Sequence, residues 1–238
     1  MSTYVLVHGG GHGGWCYDRL APLLRQEGHE VYAPSLTGLG DRRHLAGPDV
    51  GLDTHIADIA NLIFYHDLTG VILAGHSYGG MVITGVADRV PERLSHLVYL
   101  DASHPVGGES LVDNAPAMMA FARADMREVG GTELVLWPNA ESAARQGVTD
   151  PDDAAWMMAR LTPQPWRCFE QKLELRDEAA VRRIPRVSIN CSRTLARRDP
   201  EQRDRALQGD VVREIDTGHD LMITEPEAVA RMLLELAR

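Results

Sequence analysis

The sequence predicts an α/β protein: a mostly parallel sheet with helices on both faces and a small helical cap inserted into it. Three observations predict it. Short apolar runs alternate with amphipathic stretches along most of the chain, the first run opens directly onto a glycine-rich loop, and between about Pro105 and Ile184 the strand-like pattern gives way to helix-like segments rich in Met, Trp and Ala.

Taken in order, Tyr4-Val-Leu-Val7 is a short buried strand, followed by the loop Gly9 to Gly14 and a helix from about Cys16 to Gln26 that Gly28 closes. Val31-Tyr-Ala33 is a second strand. Asp53 to Tyr65 places Ile56, Ile59, Ala60, Leu62 and Ile63 along one helical face. Val71-Ile-Leu-Ala74 is a strand that turns sharply through Gly75-His-Ser-Tyr-Gly-Gly80 into a helix over Met81 to Arg89, ended before Pro91. Leu97–Leu100, Val187–Asn190 and Val211–Ile215 complete the strands, and a helix from about Glu227 to Ala237 closes the chain. With no internal repeat and no linker, residues 1–104 and 186–238 are expected to form the core and 105–185 the cap, folding as one cooperative unit.

Composition narrows the function. Of 238 residues, 44% are hydrophobic and 24% charged, which excludes disordered and fibrous classes. Lys+Arg 24 against Asp+Glu 34 gives a net charge of −10, so a nucleic-acid backbone is repelled. The arginines between about 182 and 205 alternate with acids and read as a solvated face. No apolar run approaches the roughly 20 residues of a membrane span. No leader pattern precedes the first strand, and the three scattered cysteines, Cys16, Cys168 and Cys191, lack paired spacing. A cytoplasmic protein without disulfides is expected, as a monomer or homodimer.

Chemistry should lie at the turn around Ser77. Gly-x-Ser-x-Gly between a buried strand and a helix holds a serine hydroxyl out at the strand end, near the positive end of the helix. A serine is a weak nucleophile at neutral pH and needs a base. Of ten histidines, His219, in Thr217-Gly-His219 just after the last strand, is the candidate. The backbone N–H groups of Gly10, in the loop after the first strand, and of Tyr78, after the nucleophile, are the expected oxyanion donors. His8 and His12 are four apart, but on a glycine loop that spacing does not make a metal site. Gly9-x-Gly11-x-x-Gly14 imitates a dinucleotide fingerprint, yet the second strand runs into Pro34-Ser-Leu-Thr37 with no acid for a ribose. Neither metal nor cofactor is expected.

Val5-Leu-Val-His-Gly-Gly-Gly-His-Gly-Gly-Trp-Cys16, Gly75-His-Ser-Tyr-Gly-Gly80, Leu161-Thr-Pro-Gln-Pro165, Ile184-Pro-Arg-Val187 and Thr217-Gly-His219 together resemble the α/β-hydrolase superfamily. Within it the chain is similar to the hydroxynitrile lyase and plant methylesterase branch with its bacterial esterase relatives. The resemblance extends over nearly the whole chain and implies an α/β-hydrolase fold, no cofactor, and cleavage of either esters or cyanohydrins. The lyases of the branch carry Thr after the first histidine and Lys after the last; here these positions are Gly9 and Asp220, which favours esters.

The resemblance also implies an Asp a few residues after the Val187–Asn190 strand, and that position is Thr194. Losing the triad acid costs proteases about 10⁴-fold. Asp101 is the first substitute, Asp199 the second, and a Ser–His dyad oriented by Thr194 or a carbonyl the third. The expectation is therefore a serine hydrolase acting on a small, largely apolar carboxyl ester or related acyl derivative such as a carbamate or lactone, with Ser77, His219 and Asp101 as its catalytic residues. Gly9 and, from the cap, Met118, Met119, Trp137, Trp156 and Trp166 are expected around the substrate. The alternatives are a lyase on the same scaffold and a ligand-binding protein that has lost turnover.

Overall fold

Tyr4, Val5, Leu6 and Val7 are all fully buried, as a strand inside a parallel sheet must be when helices cover both faces. The computed structural model describes residues 1–237. In chain order the strands are β1 (Thr3–Val7), β2 (Glu30–Tyr32), β3 (Val71–His76) and β4 (Leu94–Leu100), then β5 (Arg127–Val129), β6 (Thr132–Val135) and β7 (Gln164–Pro165), and finally β8 (Arg186–Cys191) and β9 (Val211–Ile215). The main sheet has the order β2-β1-β3-β4-β8-β9, and every pairing in it is parallel.

Alternation along the strands sorts side chains into two cores. Val5, Val7, Leu73 and Leu97 join Ile56, Ile59 and Ile63 of α2 (Leu52–Tyr65) and Val82, Ile83 and Val86 of α3 (Gly79–Arg89). Tyr4, Leu6, Ile72, Ala74 and Val98 join Leu20 and Leu24 of α1 (Leu20–Gln26) and Val229 and Leu233 of the closing helix Pro226–Leu234. Truncating Ile59 or Leu24 to Ala costs about 2–5 kcal/mol, because such closely packed sites relax only partly around a cavity.

Two expectations need correction. The helix expected from Cys16 to Gln26 is a 3₁₀ turn at Gly14–Tyr17 followed by α1; Gly28, at φ 80°, does follow the end of α1. The segment between β4 and β8, expected to be helical, also holds the antiparallel sheet β5-β6-β7. Gly130 and Gly131, at φ 59° and 78°, form the turn between Val129 and Thr132. A Gly-Gly pair is a hairpin signal, but strands of three and four residues are too short to display an alternating pattern.

A parallel sheet sends every strand's C-terminal end to the same edge. The glycine loop after β1, Ser77 after β3, Asp101 after β4, Thr194 after β8 and His219 after β9 are thereby delivered to one edge from distant parts of the chain.

Candidate active site

Ser77 follows the last residue of β3 at φ 54°, and Asp101 follows the last residue of β4 at φ 46°. His76 pairs with Leu100 across the two strands, so the serine and the aspartate stand at equivalent positions on neighbours. Both occupy the left-handed region, which costs a non-glycine residue of the order of 1–2 kcal/mol. The turn is held from both sides: Ser77 N donates to Leu100 O at 3.3 Å, and Ser103 N donates to Ser77 O at 3.1 Å. The flanking glycines serve closeness rather than φ. A Cβ on Gly75 would lie 2.6 Å from Gly79 O, and one on Gly79 would lie 2.7 Å from Val7 O. Only bare backbone lets α3 start so near β1.

Of the two substitute carboxylates, Asp101 is the one that touches His219. Its Oδ2 accepts from His219 Nδ1 at 2.6 Å, which leaves the lone pair on Nε2. Its Oδ1 accepts from Arg198 Nη2 at 3.1 Å and Cys191 N at 3.3 Å, and Thr194 lies near the same carboxylate. Burial pushes this carboxyl up. The His219 hydrogen bond and charge, with Arg198 and Thr194 adding to them, outweigh burial and hold it below the usual carboxylate range. Asp199 instead accepts from Gln202 N at 2.9 Å and caps the helix Pro200–Ala206. His219 is also held through its backbone, since His76 Nε2 donates to His219 O at 3.0 Å. Burial drives His76 down to about 3, so it makes that contact as a neutral ring.

The glycine loop lies against the serine. A Cβ on Gly9 would meet Ser77 Cβ at 2.8 Å, and one on Gly10 would meet Leu136 Cδ1 at 3.0 Å. Gly11, at φ 73°, donates to Gln164 Oε1 at 2.9 Å and accepts from Thr162 N at 2.9 Å. The Leu161-Thr-Pro-Gln-Pro165 motif thus clamps this loop. Among the described residues no partner accepts from Gly10 N or Tyr78 N. The Tyr78 hydroxyl, fully buried, bonds His55 Nδ1 at 2.9 Å, and His55 Nε2 donates to Thr37 O at 2.8 Å.

The other histidines of the loop are occupied. His8 donates from Nδ1 to Gly9 O at 2.9 Å and accepts from Leu36 N at 3.0 Å, while His12 turns to Asp220 at 2.9 Å. No group of His, Cys, Asp and Glu among the described residues is placed to hold a metal ion. Asp220, the residue after His219 whose carboxylate favours esters over cyanohydrins in the sequence, is fully buried and directed at His12 and His76.

Ser77 and His219 line one cavity of about 130 Å³. Among the residues expected around the substrate, Met118 lines it and Gly9 abuts the serine. The others lie elsewhere. Met119 and Trp166 are buried in the core beside α2 and α3; Trp137 donates to Leu134 O at 3.1 Å beneath Arg127; Trp156 packs edge-on against Trp15 under Arg19 and Arg160. Polar groups take their place in the wall: His104, Asn114, Thr194, Arg198, Gln202 and Arg205. Apart from Thr194, sequence reasoning missed these. Arg198 and Arg205 belong to the stretch read as a solvated face, yet the Arg198 side chain is only 12% exposed and Arg205 makes two bonds to Glu109, at 2.7 and 2.9 Å. The one available signal was Asp101 itself, since a buried carboxylate requires partners.

The fold and family are shared with known proteins. The α/β hydrolase family model matches residues 4–232. A carbendazim hydrolyzing esterase of Nocardioides sp. (strain SG-4G) is 37% identical over 99% of this chain and 100% of its own length. The polyneuridine aldehyde esterase of Rauvolfia serpentina is 26% identical over 98% of this chain and 95% of its own. Among solved structures, an extracellular α/β-hydrolase from a Paenibacillus species, described as homologous to tobacco salicylic acid binding protein 2, superposes with a TM-score of 0.84 at 25% identity, covering all of both chains. Among the described residues no helix is long and apolar enough to cross a membrane. With the matched family, the parallel sheet and a full-length esterase relative in agreement, the chain belongs to the α/β-hydrolase family and is a hydrolytic enzyme of its esterase kind.

Proposed function

We propose that the enzyme cleaves a small carboxyl ester, or a related acyl derivative such as a carbamate or lactone, through an acyl-enzyme on Ser77. The observation that carries this reading is the 2.6 Å bond from His219 Nδ1 to Asp101 beside a serine that lines the same cavity. The Nδ1–H bond fixes the tautomer, so Nε2 is free to accept the serine proton as Ser77 Oγ attacks the carbonyl carbon. The carbonyl electrons move onto oxygen, where the Gly10 and Tyr78 N–H groups would receive them. His219 returns the proton to the departing alcohol as the intermediate collapses. Water, deprotonated by His219, then adds to the acyl carbon, and the acid leaves Ser77 free.

The cavity volume supports a small substrate, and its mixed wall of Met118 and Ala115 with His104 and Gln202 supports an apolar body bearing a hydrogen-bonding group. The full-length esterase relative supports acyl chemistry over cyanohydrin cleavage. The residue after His219 is a buried aspartate rather than a lysine, so the cation that the lyases of this branch carry at that position is missing here. We assign residues 105–185 the role of a cap, since Met118 lines the cavity wall and Thr162 and Gln164 clamp the glycine loop.

The test is labelling with a fluorophosphonate together with hydrolysis of p-nitrophenyl acetate. One equivalent of label on Ser77, lost in Ser77→Ala along with turnover, is the expected result. Cyanide release from a cyanohydrin without ester turnover, or ligand binding with neither reaction, would overturn the assignment.

A further inference from the structure

Thr194 lies in the one-turn helix Ser192–Leu195 after β8, and Arg198, three residues past its end, reaches back to Asp101 at 3.1 Å. Where the resemblance places the acid, this segment supplies instead a guanidinium that grips an acid at the end of the neighbouring strand. We infer that Arg198 is a positioning residue for the reaction: it holds Asp101 by Oδ1 so that Oδ2 is presented to His219.

The physical need is plain. Asp101 is 1% exposed and sits in a strained backbone conformation, so its carboxylate has little water to orient or neutralise it. A buried carboxylate facing one histidine would be half satisfied, and could rotate either oxygen, or neither, toward the ring. The Arg198 side chain is itself nearly buried and makes no other ion pair among the described residues. A planar, permanently charged group therefore fills one side of Asp101 and leaves the other for Nδ1–H.

The groups facing the Asp101–His219 pair are Arg198, Thr194 and Cys191 from β8 and the segment after it, His76 from β3, His104 from the loop after β4, and Asp220 next to His219. Burial, with Arg198 next to it, drives His104 down to about 3, so it is neutral. Asp220 is paired with His12. Arg198 is thus the unbalanced cation on this pair.

The inference rests on the serine-hydrolase reading, and the experiment separates the two. With p-nitrophenyl acetate, Arg198→Met is expected to lower kcat by about 10- to 100-fold with KM changed by less than about threefold, as for a group acting only in the transition state. Arg198→Lys, which keeps the charge, should recover much of the loss. Fluorophosphonate labelling of Ser77 is measured alongside. In Asp101→Asn/Arg198→Met the loss should not exceed that of Asp101→Asn alone, since both would remove one function. If the Met variant fails to fold, Arg198→Gln is read in its place. Failure to label Ser77 in the parent sinks the underlying reading. A parental rate in a labelled Met or Gln variant, a Lys variant no better than Met, or additive loss in the double variant, sinks the role of Arg198.

Discussion

His12 donates from both ring nitrogens, to Gly10 O at 2.8 Å and to Asp220 Oδ2 at 2.9 Å, which ties the loop beside Ser77 to the residue following His219. A ring donating twice is an imidazolium. Burial alone would push His12 down, but the charge and hydrogen bond of Asp220, with the Gly10 carbonyl, hold it above its ordinary value. Burial likewise pushes Asp220 up, and His12 more than reverses it. This is a buried ion pair in which His12 is completed by the Gly10 carbonyl, while the other oxygen of Asp220 has no hydrogen bond among the described residues, His76 Nε2 standing 3.6 Å from it.

The pair sets a stability window. Asp220 is lowered from 3.8, so its contribution is full above about pH 4 and fades as pH falls through the lower folded value. His12 is raised from 6.5, so its contribution is full below about pH 6.5 and fades as pH rises through the higher folded value. Urea unfolding of the parent should therefore show less stability at pH 9 than at pH 6, and His12→Gln should flatten that difference. Asp220→Asn, which strands the buried imidazolium, should cost about 3–5 kcal/mol at pH 6. A parent curve flat from pH 6 to 9 would contradict the charged pair.

Two aspartates within reach of one argument should behave in opposite ways. Asp101→Asn keeps the shape but loses the charge on His219, and kcat should fall by about 10³- to 10⁴-fold with little change in KM. Asp199→Ala removes a helix cap, which costs about 0.5–2 kcal/mol and should leave kcat at the parental level. Steady-state kinetics and thermal unfolding on the two variants read both effects; a catalytic loss in Asp199→Ala would reverse the assignment.

Tyr78 serves by its backbone and its hydroxyl in different ways. Tyr78→Phe leaves His55 Nδ1 buried without the partner it has at 2.9 Å, a loss of about 1–3 kcal/mol. The N–H proposed for the oxyanion is untouched, so kcat should stay within about threefold of the parent. A large fall in kcat at unchanged stability would make the hydroxyl itself a participant.

The wall of the cavity predicts which large side chains govern substrates. Met118→Ala should change KM for esters of increasing acyl length, because Met118 lines the cavity with Ser77. Trp156→Ala should leave those KM values alone and lower stability by about 1–3 kcal/mol, since its ring packs on Trp15 and two arginines away from the cavity. Kinetics over a series of p-nitrophenyl esters decides the point.

Much of the fold was legible because its signals are local. The buried run at Tyr4–Val7, the helical spacing of Ile56, Ile59 and Ile63, and the glycine at 28 each depend on neighbours a few residues away. The small sheet of the insertion was hidden, since strands of three and four residues carry no readable period and β7 pairs with a partner some thirty residues earlier. Sequence order singled out Ser77 and His219 for the same local reason: each stands at the end of a recognisable strand.

What residue types and their order determined by themselves was a parallel α/β framework whose strand ends carry a serine, a late histidine and a glycine loop. Only the tertiary structure decided that Asp101 rather than Asp199 meets His219, that Arg198 turns inward from an arginine-rich stretch, and that most of the expected aromatic pocket residues pack elsewhere. The physical reason is range. Hydrophobic period and turn chemistry act over a few residues, whereas a carboxylate finds its histidine across 118 positions of sequence through the register of neighbouring strands and the need to satisfy a buried charge.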